Sequence, residues 1–198
     1  MRFLVLGLAA FSAIWAHAEP KAGSYFLGTS AFMLANLDRE TTEPPRFAQL
    51  NLGYYLTSRD SISLELITWR YYAPHGALWD ATTAADKFPG HVTSHGAGLA
   101  YQRFLGSSSN FYLALHATWF RQEYRNNIKE LSEWGQQLFV TLRAGYRIEV
   151  ASGRLFIEPS LAVTHWPIES GMPADFQAQE DKWRKFQVEP GAHLGFTF

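Results

Sequence analysis

The chain has no cysteine, so no disulfide can hold it and no thiolate can serve as a metal ligand or nucleophile. It also lacks a basic block. Its 17 lysines and arginines are scattered among 18 aspartates and glutamates, for a formal net charge of −1, which leaves out the electrostatic footprint of a nucleic-acid partner. After the first 18 residues no apolar run approaches the roughly 20 residues that a membrane-crossing helix needs. The composition is nevertheless greasy: 47% hydrophobic and 16% aromatic, at a mean hydropathy of −0.16. Apolar residues are therefore interleaved with polar ones rather than gathered in runs.

The chain opens "MRFLVLGLAAFSAIWAHA", with Arg2, an apolar run from Phe3 to Trp15, and Ala16-His17-Ala18. That order is a secretory signal peptide with an A-x-A cleavage site, too short for a bilayer span. Residues 1–18 are read as the signal and 19–198 as one exported domain. Losing Arg2 and no acid leaves 16 basic against 18 acidic residues.

Strand patterns fill that domain. Alternating or mixed apolar segments run over about Ser24–Leu37, Arg46–Thr57, Ser61–Tyr72, Val92–Phe104, Phe111–Tyr124, Gln136–Val150, Leu155–Pro167 and Lys185–Phe198. Most exceed the usual five or six residues and match tilted strands crossing a bilayer. The connections alternate: "SRD", "LGSSSN" and "ASGR" are short, whereas residues 38–45, 73–91, 125–135 and 168–184 are long and polar. Sorting of this kind around an even strand number predicts an all-β, eight-stranded antiparallel up-and-down transmembrane β-barrel, with both termini on the short-turn side.

Register supports the same pattern. A two-residue loop at Ser152-Gly153 would pair Ile157 with Ile148, Leu161 with Ala144 and Val163 with Leu142 on one face, and Glu158 with Arg147 on the other. A three-residue loop at Ser58–Asp60 would pair Tyr54 with Leu64 and Gly53 with Glu65. The polar parity carries Gln49, Asn51, Glu65, Gln102, His116, Arg143, Arg147, Glu158 and Glu189, which suits a polar lumen rather than the apolar cavity of a soluble lipocalin-type barrel. Glu158 and Arg147 are expected to form a cross-strand ion pair, with Glu65, Arg143, Glu189 and His193 in a wider lumenal charge network. In a narrow barrel such charges fill and satisfy the interior.

In strand number, loop order and terminal phenylalanine the mature chain resembles the small eight-stranded outer-membrane barrels, a group including outer-membrane proteins A, X and W. The resemblance implies a bacterial outer-membrane location, periplasmic termini, a monomer, contact with outer-membrane lipid and lipopolysaccharide, and recognition of Leu194, Phe196 and Phe198 by the barrel-assembly machinery. Trp79, Trp134 and Trp183, among loop charges, are candidates for surface interaction. Two alternatives remain beside a structural or surface-interacting role. A narrow channel is one. The other is a lipid A-modifying acyl enzyme built from His75, Asp80, His91 and Ser94, although no His-x-Ser pair is present. His91 and His95 have helical rather than strand spacing for a shared ligand, and neither metal nor cofactor is expected.

Overall fold

The structure, a computed structural model, describes residues 21–37, 43, 46–77, 83–106, 110–150 and 154–198. The signal peptide, Trp79, Asp80 and the Ser152-Gly153 loop lie outside the described residues. Among the described residues the strands are β1 (Tyr25–Ser30), β2 (Arg46–Tyr55), β3 (Asp60–Tyr71), β4 (Gly90–Leu105), β5 (Phe111–Asn126), β6 (Leu131–Tyr146), β7 (Ile148–Val150), β8 (Leu155–Ser170) and β9 (Phe186–Thr197), with an α-helix, α1 (Ala174–Glu180), between β8 and β9. Every pairing is antiparallel between chain neighbours, and β1 closes on β9. Both β6 and β7 pair with β8. Arg147, between them, turns its N–H to Asn110 O at 2.7 Å. These two pieces are one interrupted stave, so the ring has eight.

Four local features depart from the sequence pattern. Extended structure in the first stave stops at Ser30, and Ala31–Leu37 forms a 3₁₀ turn. Ser30 Oγ accepts the N–H of Phe32 at 3.2 Å, the local side-chain bond by which serine starts a helical turn. The segment expected as a loop at 125–135 is mostly strand, reduced to a turn at 127–130. There Asn126 Oδ1 accepts the N–H groups of Ile128 and Lys129 at 2.8 and 3.0 Å, and Glu130 takes a φ of 53°. An asparagine-led turn of this kind replaces a long connection.

The β2–β3 register is two residues tighter than expected: Tyr54 faces Ile62, and Glu65 faces Asn51 rather than Gly53. Thr57 causes this, since its Oγ1 accepts the N–H of Arg59 and of Asp60 at 3.0 and 2.9 Å and closes the turn early. A shift of two preserves facing, so Glu65 still points inward. In β8, Leu138 opposes Ile168 while Val140 opposes His165. The extra residue falls at Trp166-Pro167, where proline fits a bulge and not a regular ladder. The bulge reverses facing, so Trp166 and then Glu169 both point inward.

The two faces follow from alternation. Outward residues including Leu52, Leu64, Leu99, Leu115, Leu142, Leu161, Val163 and Leu194 leave large apolar areas exposed all round the ring. Tyr25, Tyr54 and Phe198 cluster at one rim, with Tyr25 ring centroids 4.9 Å from Tyr54 and 6.2 Å from Phe198. An apolar belt with an aromatic rim is stable only against lipid.

Candidate functional site

The lumen is built in three tiers. At the end carrying the short turns, Phe26, Tyr55, Phe104, Tyr112 and Phe156 pack together. Arg147 threads this cluster, its guanidinium carbon 4.1 Å from the Phe156 ring centroid and 4.5 Å from that of Phe104. Arg147 Nε donates to Glu158 Oε1 at 2.8 Å, Nη1 donates to Tyr55 Oη, and Gln102 Nε2 donates to the same Glu158 oxygen at 2.8 Å. A buried charge is tolerable here because its opposite charge and ring faces surround it.

The tier at the long-loop end is closed by inserted loops. His75, on a 3₁₀ turn after β3, sits among Trp69, Tyr71, Phe139 and Trp166 with centroid separations of 4.2 to 5.5 Å. Burial depresses its pKa to about 3, so it is a neutral ring in an aromatic box. Phe176 of α1 packs on Phe88 and Tyr124. Glu180 of the same helix is buried and accepts the indole N–H of Trp166 at 3.1 Å. Desolvation, then the charge of Glu169, raises its pKa to about 7. Beneath them runs a polar ladder: Gln122 Nε2 donates to Gln137 Oε1, and Gln137 Nε2 donates to Glu169 Oε1, each at 2.8 Å. Lys185 then pairs with Glu169. A Cβ on Gly76 would lie 2.1 Å from Arg184 O, so glycine is what lets the loop after β3 meet the loop before β9 this closely.

Between the two seals lies a cavity of about 130 Å³. Its polar lining includes Glu65, His116, Arg143, Gln187, Glu189 and His193, and its apolar lining includes Phe32, Phe47, Ile67, Trp69, Phe120, Phe139 and Pro190. Glu65 is bound by His116 Nδ1 at 3.0 Å. Arg143 Nη1 donates to Ser160 Oγ at 2.7 Å. Glu189 accepts from Thr164 Oγ1 at 3.0 Å and from Gln187 Nε2 at 3.1 Å. His193 is buried opposite Glu158 in the β8–β9 register.

The six lumenal residues expected from sequence thus share the lumen without forming one network. Arg147 and Glu158 belong to the aromatic seal; Glu65, Arg143 and Glu189 belong to the cavity and make separate local bonds, and His193 lies buried beside them. Leu194 and Phe196 face outward, and Phe198 exchanges both backbone hydrogen bonds with Tyr25, at 2.9 and 3.0 Å. Trp134 lies on the outer surface under the Arg121 guanidinium, 4.5 Å from its carbon. Trp183 is half-buried between the docked loops.

The residues considered for an acyl enzyme do not converge. His91 faces outward against Tyr72, Ser94 faces inward within reach of Tyr71 and Gln122, and His75 is enclosed in its aromatic box. Among the described residues no group of three or more histidine, aspartate or glutamate side chains could hold a metal ion. Tyr55, Gln122, Gln137, Glu169 and Glu180 were absent from the candidates. Inward parity marks Tyr55, Gln122 and Gln137, whereas the bulge hides Glu169 and tertiary docking alone buries Glu180.

Closed ring, apolar exterior and filled interior together define an eight-stranded antiparallel up-and-down transmembrane β-barrel. By overall shape the chain is similar to the N-terminal β-barrel domain of Pseudomonas aeruginosa OprF, with a TM-score of 0.49 and 15% identity over 90% of this chain and 100% of that one. It is also similar to Neisserial surface protein A (NspA), with a TM-score of 0.48 and 8% identity over 89% of this chain and 94% of that one. No family model and no curated protein matches the sequence.

Proposed function

We propose that this chain is an integral barrel of a bacterial outer membrane, exported by its signal peptide, with both termini in the periplasm and a structural or surface-interacting role rather than a transport or catalytic one. The observation that carries this reading is the pairing of an apolar belt outside with two aromatic seals inside. The belt needs lipid, and in this reading the seals block the axial path of a solute. In this reading the long-loop end contacts lipopolysaccharide and solvent, with Trp134 and its Arg121 partner at the rim. Phe198, with Leu194 and Phe196, is presented to the barrel-assembly machinery, and the barrel works as a monomer. No cofactor is invoked.

Planar-bilayer recording of the refolded mature chain tests the sealed lumen. Current at baseline across the working voltage range is the expected result, and reproducible unitary steps would favour the channel reading. Heat-modifiable migration on gels tests the membrane barrel itself. A protein folded as a monomer in water without detergent would overturn it.

A further inference from the structure

Among the described residues, the backbone ladder of the wall is interrupted between β1 and β9. The β1–β9 ladder ends at the Ser30–His193 pair, although β9 continues back to Phe186 and stays paired with β8 throughout. Along that upper stretch the neighbour of β9 is the 3₁₀ turn Ala31–Leu37. That turn is tied to β2, since Asn36 Nδ2 donates to Phe47 O at 2.6 Å and Asn36 Oδ1 accepts Phe47 N–H at 2.8 Å. No backbone hydrogen bond joins it to β9 among the described residues.

The sequence of β9 agrees with an open edge. Phe198 N–H points to Tyr25 while Thr197 N–H points to Arg154, so even-numbered residues of this strand direct their N–H groups toward β1. Pro190 is on that parity, beyond the last pair, where its missing donor costs nothing. Pro190 is also an outward-facing residue, yet it lines the central cavity together with Ser30, Phe32 and Gly191. The cavity therefore reaches the lipid-facing surface at this seam, while aromatic tiers close it above and below.

We propose that this seam is the entrance to a binding site for a single-chain amphiphile with a carboxylate head, that is, a fatty acid taken from the membrane. The tail is matched by the apolar lip of Phe32, Phe47 and Pro190. The head is matched by Arg143, which among the described residues has no carboxylate partner and whose buried Nε has no hydrogen-bond partner; His116, held to Glu65 through Nδ1, lines the same space with a buried Nε2 that has no partner. The other carboxylates at the cavity are already engaged, Glu65 by His116 and Glu189 by Thr164 and Gln187. His193 faces the same space, and Gln187 Oε1, buried and unpartnered, offers an acceptor to a protonated head. A buried guanidinium N–H without a partner favours a ligand that supplies an acceptor. Access comes from the bilayer because the entrance opens through the apolar belt. The inference rests on the membrane placement proposed above, which gel migration tests separately.

The test uses the whole mature barrel in phosphatidylcholine nanodiscs and stearate carrying a nitroxide near its carboxyl end, read by electron paramagnetic resonance. A saturable immobilised component near one label per barrel is expected. The methyl ester of the same probe should bind about tenfold more weakly, the loss expected for a charge-assisted hydrogen bond. Arg143→Gln should produce a similar loss. Gly191→Leu should abolish the component by filling the cavity, since a Cβ there meets only Arg143 Nη1 at 3.0 Å and Ser160 Oγ at 3.6 Å. No saturable component, or equal immobilisation of acid and ester by the unaltered chain, overturns the proposal even if either variant fails to fold. Binding unchanged in both folded variants overturns it as well.

Discussion

Arg147 and Glu158 meet across the β7–β8 hairpin, with Arg147 Nε 2.8 Å from the Glu158 oxygen and both side chains almost wholly buried. Removing either partner leaves the other charged inside a ring of phenylalanine and tyrosine. Arg147→Leu should therefore lose about 3–5 kcal/mol of stability. The double change Arg147→Leu/Glu158→Leu should lose less, because no charge is then stranded. Urea unfolding in micelles, followed by heat-modifiable migration, measures both. A double variant less stable than the single would show that the pair itself, rather than avoidance of an orphaned carboxylate, holds this tier.

Asn36 replaces a strand at the seam by bonding both backbone groups of Phe47. Asn36→Ala leaves these groups without their partner and should cost about 1–3 kcal/mol. Hydrogen exchange at Phe47 should rise while exchange at Leu52, within the β1–β2 ladder, stays slow. Equal exchange at both positions would show that the whole wall, not only the seam, depends on this side chain.

Two groups in the loop cap titrate with opposite effect. Glu180, raised to about 7 from an ordinary 4.5, favours the docked cap below about pH 4.5, and that contribution is lost as pH rises to 7. His75, lowered to about 3 from 6.5, favours the docked cap above about pH 6.5 and loses its contribution as pH falls toward 3. Between about pH 4.5 and 6.5 the two slopes oppose each other. Cap stability, read by hydrogen exchange in α1, should be nearly flat there. Glu180→Gln should make it rise with pH, and His75→Phe should make it fall. A Glu180→Gln profile identical to that of the unaltered chain would contradict the assigned environment of Glu180.

The barrel was legible because alternation survives in most staves. Leu142, Ala144 and Ile148 against Val163, Leu161 and Ile157 define an outward face from sequence alone, and the observed pairs are the expected ones. The departures arise where a side chain competes with the ladder. Ser30 ends β1, Thr57 tightens the β2–β3 turn, Asn126 turns the β5–β6 hairpin and Pro167 marks the bulge. Each can be named afterwards by its chemistry, but serine, threonine and asparagine also occur in regular strands, so their presence alone does not move a boundary. The cavity was less legible still. Arg143, Glu65, Glu189 and His193 are identifiable as inward residues, yet the separate local bonds of the first three depend on distances between strands remote in the sequence. The seam depends on where β1 stops.

Alternate residues of one stave face lipid and lumen. Because the chain has no cysteine, single cysteines at Leu142 and at its neighbour Thr141 can each carry an environment-sensitive fluorophore in a refolded, bilayer-reconstituted barrel. Phospholipids brominated near the acyl-chain ends should quench the label at position 142 strongly and the label at 141 weakly. Equal quenching at the two positions, or stronger quenching of 142 by a water-soluble quencher than by the lipid, would show that these residues do not face lipid and lumen.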